Sequence, residues 1–209
     1  MRIVAISDTH NLHDRLEIPT GDVLLHSGDV SMKGTEEEVH DFLNWFAAQP
    51  HPYKVFIAGN HDFFFEEKSK EEIQAILPKG IHYLNEELVE INGLKIWGSP
   101  ITPIPRRQWA FNKTRGADIQ QHWDSIPKDL DILMVHGPPK GILDTILDGN
   151  MVGCENLRQT IQHKKPKVML FGHIHESRGQ RQVKETLFIN ASSVSRHRTK
   201  IFSPFVFDL

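Results

Sequence analysis

The sequence is short of cysteine, of net charge and of long apolar stretches. Its 209 residues include one cysteine, Cys154, so an intrachain disulfide is excluded. A formal net charge of -3 gives no sign of a nucleic-acid or membrane partner. No stretch approaches the roughly 20 apolar residues that a spanning helix needs, and the apolar start of the chain is too short for a signal peptide. We therefore expect a cytoplasmic protein that binds any anion at a local site.

Two sequence motifs of phosphate and ester chemistry are also missing. There is no G-x-S-x-G elbow, which argues against a Ser-His-Asp hydrolase, and no P-loop. Cys154 precedes E-N-L-R-Q-T-I, so we interpret it as the structural start of a helix rather than as a nucleophile.

The length and the apolar pattern predict a single α/β domain over residues 1–209. Continuous runs of Val, Ile, Leu, Met and Phe are typical of strands covered on both faces, and they lie at residues 3–6, 23–25, 55–57, 132–135 and 168–171. Capping boxes at Thr35 and Ser69 predict two helices, and two more are expected at about 117–123 and 155–163. Asn92-Gly93 predicts a hairpin, and a final pair of strands is expected at 185–189 and 202–207. Residues 99–115 have no clear period and suggest a long ordered loop.

Each of these five apolar runs is followed by Asp, Asn or His, usually beside a glycine. The residues concerned are Asp8, His10, Asp29, Asn60, His61, Asp62, His136, His173 and His175. The carboxyl edge of an open α/β sheet is where ligands bind, so we expect these side chains to meet in one site. Imidazole and carboxylate without thiolate favour Mn, Fe, Zn or Ni. Each motif alone could be an ordinary polar turn, but five in this order are hard to attribute to chance.

Together these motifs resemble the signature of the calcineurin-like metallophosphoesterases: Asp8-x-His10, Gly28-Asp29, Gly59-Asn60-His61-Asp62, His136-Gly137 and Gly172-His173-x-His175. Trp109-Ala110-Phe111-Asn112, Asn190-Ala191-Ser192 and the terminal V-F-D-L are similar to metallophosphoesterase-domain proteins related to class III cyclic nucleotide phosphodiesterases. The resemblance implies a four-layer αββα sandwich of two mixed sheets flanked by helices, with a dinuclear metal centre.

The resemblance also implies a role for each residue. Asp8, His10 and His175 would bind one metal, Asn60, His136 and His173 the other, and Asp29 both. His61 would face the substrate as the general acid, and Asp62 would orient its ring. The metals would lower the pKa of water, and the resulting metal-bound hydroxide would attack the phosphate ester. One histidine of the His173/His175 pair would thus serve each metal.

The substrate is less sharply indicated. A small phosphodiester, such as a cyclic nucleotide, is the leading hypothesis. The alternatives are a phosphomonoesterase that acts on nucleotides or phosphoproteins, and a nucleotide-binding scaffold of low activity. The loop that carries Arg106, Arg107, Trp109, Phe111 and Arg115 is the expected substrate wall, beside Asn60 and His61. Its aromatic residues could equally pack on the core, and ordinary surface exposure is the favoured interpretation of Arg106 and Arg107. The sequence gives no prediction of oligomeric state.

Overall fold

The structure is a computed structural model that describes residues 1–105 and 109–209. In chain order its strands are β1 (Arg2–Ile6), β2 (Val23–Ser27), β3 (Tyr53–Ile57), β4 (Ile81–Tyr83), β5 (Glu87–Ile91), β6 (Leu94–Ser99), β7 (Thr102–Pro103), β8 (Asn112–Lys113), β9 (Ile132–Val135), β10 (Val168–Phe171), β11 (Gly179–Val183), β12 (Thr186–Asn190) and β13 (Phe205–Asp208). Its α-helices are α1 (Glu36–Ala48), α2 (Phe63–Glu67), α3 (Lys70–Ile76), α4 (Ala117–Asp124) and α5 (Glu155–Lys164). None of these helices is long and apolar enough to cross a membrane.

Most of the strands form two large mixed sheets. The first has the spatial order β13-β1-β2-β3-β4 and the second β11-β12-β10-β9-β6-β5. Strands β1, β2, β3 and β4 run parallel, as do β6, β9, β10 and β12. The carboxyl ends of each parallel set therefore lie at one edge of each sheet, and a parallel bridge between Ser7 and Ser192 joins the two edges.

The two sheets pack face to face, and successive strand residues point to opposite faces. In β1, Ile3 and Ala5 belong to the core between the sheets, whereas Val4 and Ile6 belong to the core beneath the helices. This double burial explains the continuous apolar runs, and it confirms the predicted sandwich of two sheets flanked by helices.

The predicted helices are present with their expected caps. Thr35 and Ser69 both form capping boxes, which satisfy amide groups at the starts of α1 and α3. Cys154 is buried and its sulfur accepts a hydrogen bond from the Leu157 amide, so its structural role at the start of α5 is confirmed.

The last two predicted strands are present, but they belong to different sheets. Strands β12 and β13 exist, but β12 pairs with β10 and β11 whereas β13 pairs with β1 in the other sheet. The pattern showed two strands but carried no information about their partners. Strand β11 was not predicted because its exposed residues G-Q-R-Q-V give almost no apolar signal. The expected loop at 99–115 contains the short parallel pair β7 and β8.

Candidate metal centre

The turns after β1, β2, β3, β9 and β10 bring together the residues that the motifs had marked. Asp8 and His10 follow β1, Asp29 follows β2, and Asn60 follows β3. From the second sheet, His136 follows β9, and His173 and His175 follow β10. The site is therefore built across the common edge of the two sheets.

One group of ligand atoms comprises Asp8, His10 and His175. Their nearest nitrogen and oxygen atoms lie within 4.8 Å of one another. The Nε2 atoms of His10 and His175 are 3.4 Å apart, and His175 Nε2 is 3.7 Å from Asp8 Oδ1. This spacing leaves room for one ion among three donors.

A second group comprises Asp29, His136 and His173, again within 4.8 Å. His136 Nε2 lies 3.4 Å from Asp29 Oδ2 and 3.0 Å from Asn60 Oδ1. Asp29 Oδ2 is also 3.7 Å from His10 Nε2, so this carboxylate lies between the two groups. His173 and His175 fall into different groups.

Main-chain carbonyls fix the orientation of the imidazoles. The Nδ1–H groups of His10, His136 and His175 donate to the carbonyl oxygens of Ser31, Ser27 and Val194, at 3.2, 2.9 and 2.7 Å. Because a carbonyl can only accept, these contacts place the hydrogen on Nδ1 and direct the Nε2 lone pair into the site. This is the tautomer that a metal ligand needs, so the donor set fits divalent cations.

The electrostatics of the site favour positive charge. Burial opposes ionisation of His136, but the neighbouring Asp29 carboxylate outweighs it and raises the pKa of His136 to about 9, so a metal ion at Nε2 would replace a proton there. Burial likewise opposes ionisation of Asp8 and Asp29, yet the surrounding histidines hold both pKa values below the usual range. Two buried carboxylates at a sheet edge require compensating positive charge, which divalent cations held by these residues would supply.

Several of these residues have unusual backbone conformations. Asp8, Asp29 and His173 have φ angles of 53°, 55° and 68°, in the left-handed region that non-glycine residues adopt rarely. Such strain persists where the surrounding structure holds it, commonly at functional sites.

Gly172 is required because the chain approaches Asp8 closely. A Cβ atom at this position would lie 1.9 Å from Asp8 Oδ2 and 2.2 Å from Ser7 Oγ. The absence of a side chain lets the His173 amide donate to both oxygens of Asp8, at 2.9 and 3.0 Å. His173 itself, with its positive φ, turns the chain between the two histidines.

His61 borders the first group without belonging to the expected ligands of that metal. Its ring contacts His10 edge to face at a centroid distance of 4.8 Å, and its Nδ1–H donates to the Met32 carbonyl at 2.8 Å. Potential ligand atoms of His61, His10 and Asp29 also lie within 4.8 Å of one another.

The prediction that Asp62 orients the ring of His61 is wrong. The Asp62 carboxylate accepts hydrogen bonds from the amides of Val30, Ser31 and Gly59 and from the Ser31 hydroxyl. Asp62 thus joins the turn after β2 to the turn after β3, and the Met32 carbonyl orients His61 instead. Burial, together with the nearby Asp29, raises the pKa of Asp62 to about 6.

The residues of the expected substrate wall lie in different surroundings. Trp109 lies against His61, with ring centroids 4.5 Å apart. Phe111 is 6% exposed and packs in the core beneath the helices, so its predicted place in the substrate wall is wrong. Arg115 is exposed, but its guanidinium already donates to the carbonyls of Val152 and Gly153. Arg106 and Arg107 lie outside the described residues.

Some residues that support the site were not found from the sequence. The carbonyl groups of Ser31, Met32 and Val194 act through the main chain, so no side-chain motif identifies them. The Ser192 hydroxyl lies 3.1 Å from Asp8 Oδ2 and 2.8 Å from Asn190 Oδ1. The only signal for it was the tripeptide Asn190-Ala191-Ser192.

Two mixed sheets that share a buried set of carboxylates and imidazoles define a metal-dependent hydrolase site. Residues 1–177 match the family model described as calcineurin-like phosphoesterase. The chain belongs to this family and is a metal-dependent phosphoesterase.

Individual relatives agree with the family. The chain is 35% identical over 232 residues to the human Metallophosphoesterase domain-containing protein 1, covering 100% of this chain and 71% of that protein. It is 38% identical over 229 residues to UPF0046 protein C25E10.12 of Caenorhabditis elegans, covering 100% of this chain and 81% of that protein. The solved structure of TT1561 from Thermus thermophilus has the same fold, with a TM-score of 0.63, 14% identity and coverage of 99% and 98% of the two chains.

Proposed function

We propose that this enzyme hydrolyses small phosphodiesters, with cyclic nucleotides as candidate substrates, and that it acts in the cytoplasm. The observation that carries the substrate proposal is a cavity of about 740 Å³ that opens beside His173 and Ile174. Its volume falls in the range of small-molecule sites, about 300–1,000 Å³. A diester differs from a monoester by a second organic substituent on phosphorus, and this cavity offers that substituent a place next to the metal centre.

The charges around the cavity also favour a diester. Arg115 pairs with Glu155 and donates to two carbonyl groups. Lys140 Nζ donates to the Met151 carbonyl at 2.6 Å and lies 3.4 Å from the same Glu155. Among the described residues that line the cavity, the two cations are thus already engaged by Glu155 and by main-chain carbonyls, which suits a neutral substituent better than the extra charge of a monoester.

The proposed ligand assignment follows the two groups of donors. Asp8, His10 and His175 would hold one divalent ion, and Asn60, His136 and His173 the other, with Asp29 shared between them. The ions, for which Mn, Fe, Zn and Ni are the candidates, would supply Lewis-acid chemistry by polarising the phosphoryl group and acidifying water. The chain's own contribution is to aim its Nε2 atoms and carboxylates and to keep the rings from turning.

His61 is proposed as the general acid that protonates the leaving oxygen. Because its Nδ1–H is held by Met32, Nε2 is the atom that would deliver the proton. His61→Ala should therefore lower kcat by roughly 10²–10⁴ for diesters with poor leaving groups, while metal content is retained. Metal analysis of the variant beside its kinetics checks both statements, and undiminished turnover of an alkyl diester would remove His61 from this role.

A matched substrate panel tests the proposed function. The kcat/KM of bis(4-nitrophenyl) phosphate is compared with that of 4-nitrophenyl phosphate, which shares the leaving group, and 2′,3′- and 3′,5′-cyclic nucleotides follow. Each substrate is measured with Mn, Fe, Zn, Ni and Mg in turn. We expect the diesters to be preferred with at least one metal. A consistent preference for the monoester would indicate a phosphomonoesterase, and tight nucleotide binding without turnover would indicate a scaffold.

A further inference from the structure

A loop rich in cations lies beside the metal centre. Residues 195–200 read S-R-H-R-T-K, and all of residues 196–200 are exposed. This density of positive charge contrasts with the formal net charge of -3 for the whole chain. Residues 195–200 are called the basic loop below.

The basic loop has a fixed conformation. Val194 and Ile201 pair as an antiparallel bridge at its base. The Ser195 amide donates to the Lys200 carbonyl at 2.9 Å, and Ser195 Oγ accepts from the Thr199 and Lys200 amides at 3.2 and 3.1 Å. These hydrogen bonds close the backbone of the loop on itself, and its long side chains are exposed.

One end of the basic loop is tied to a proposed metal ligand. The Val194 carbonyl, directly before the loop, accepts from His175 Nδ1 at 2.7 Å. Arg196 Nη1 donates to Glu176 Oε1 at 2.9 Å, and Glu176 directly follows His175. The base of the loop is therefore held next to the first group of ligands.

The other side of the basic loop reaches the proposed general acid. The Arg198 guanidinium contacts the sulfur of Met32, and the carbonyl of Met32 accepts from His61. One residue thus separates Arg198 from the imidazole that would protonate the leaving oxygen.

Two of the loop's cations have no anionic partner in the described structure. Glu176 pairs with Arg196, but no carboxylate in residues 1–105 and 109–209 lies within 4.0 Å of Arg198 or Lys200. The thioether that Arg198 contacts carries no charge. Both side chains thus keep their charge available for an anion in solution.

We propose that Arg198 and Lys200 bind a second phosphate group of the substrate, carried on the His61 side of the metal centre. The inference rests on the proposed phosphodiester hydrolysis and names a narrower substrate class. An arginine fork matches two phosphate oxygens, and a nearby lysine adds a point charge. The two flanks of the centre thus differ: the cavity beside His173 suits an uncharged substituent, and the basic loop suits an anionic one.

The experiment compares two substrates that differ by one phosphate. They are adenosine 2′,3′-cyclic phosphate and the same compound with an added 5′-phosphate, and bis(4-nitrophenyl) phosphate serves as the reference diester. The wild-type enzyme should have about tenfold higher kcat/KM for the doubly phosphorylated substrate, which corresponds to a binding free energy of about 1.4 kcal/mol. The difference should appear as a lower KM. The preference should shrink when salt rises from about 0.05 to about 0.5 M, because exposed charges are screened.

Substitution of the two cations then tests the assignment. In R198Q/K200Q the ratio of the two kcat/KM values should fall to about 1. The matched control R181Q/K184Q also removes two cations, but Arg181 lies in β11 opposite Phe188 and Lys184 lies in the turn between β11 and β12. Its ratio should equal that of the wild type.

Three results would overturn the inference: equal kcat/KM for both cyclic substrates in the wild type, an unchanged ratio in R198Q/K200Q, or an equal fall in the control. Hydrolysis of the reference diester without a preference for the second phosphate would leave the proposed function in place. Failure to hydrolyse the reference diester and both cyclic substrates would overturn the proposed function together with this inference.

Discussion

At the scale of single residues, main-chain carbonyls decide how the site is oriented. The ligand types could be predicted from the motifs because imidazole and carboxylate chemistry is a property of the side chain. Their orientation could not, since Ser31, Met32 and Val194 contribute through carbonyl groups that every residue possesses. The same limit explains the error at Asp62, whose proximity to His61 in sequence suggested a contact that the structure does not make.

Trp109 provides a prediction at this scale. Its indole packs against the His61 ring, which the Met32 hydrogen bond holds at one nitrogen, so loss of the indole should free the ring. Trp109→Ala should lower kcat for an alkyl diester by about 10- to 100-fold and should affect a 4-nitrophenyl diester much less. Trp109→Phe, which keeps an aromatic face, is the control and should retain most of the activity. An equal loss on both substrates would show that Trp109 acts in binding rather than in positioning His61.

At the scale of elements, the apolar runs predicted the strands that deliver the ligands, because double burial gives a strong pattern. The pairing of β12 and β13 with different sheets could not be predicted, since it depends on contacts between distant parts of the chain. The same holds for the turns after the strands. The sequence shows Gly172 at the end of an apolar run, but the reason for a glycine there, the close approach of the chain after β10 to Asp8, is visible only in the structure.

The substitution Gly172→Ala tests the account of the turn after β10. The added Cβ would lie 1.9 Å from Asp8 Oδ2, so the carboxylate or the turn after β10 must move. We expect loss of metal from the Asp8 side and a fall in kcat of at least about 10²-fold, as measured by metal analysis and turnover. Gly179→Ala is the matched control because its Cβ would meet no atom closer than 3.7 Å. Full metal content and activity in Gly172→Ala would contradict the close-approach account.

At the scale of the whole molecule, the metal centre concentrates buried charged groups in a chain whose positive and negative charges are nearly equal in number. The fold supports it with further buried polar groups such as His26, which lies in β2. His26 Nε2 is 3.0 Å from Thr9 Oγ1, and its Nδ1 accepts from the Gly28 amide at 3.3 Å. His26 thereby connects the turn after β1 with the turn after β2. The prediction of a single domain over 1–209 stays a prediction.

His26 also makes the stability of the molecule depend on pH. Burial lowers the pKa of His26 from 6.5 to about 3, so folding favours the neutral ring. The stabilisation is present above about pH 6.5 and is lost as the pH falls towards 3, at about 1.4 kcal/mol per pH unit. Between pH 7.5 and pH 5 the metal-free wild type should lose about 2 kcal/mol more than His26→Leu in urea unfolding. Parallel losses in the two proteins would contradict this account.

The claim that the chain builds one two-metal centre around Asp29 is tested most directly by anomalous diffraction from crystals grown with Mn²⁺. The account predicts two manganese peaks with Asp29 between them, His175 bound to one ion and His173 to the other. The remaining ligands should divide as Asp8 and His10 on the first ion and Asn60 and His136 on the second. A single peak, or both imidazoles of the His173/His175 pair on the same ion, would contradict it.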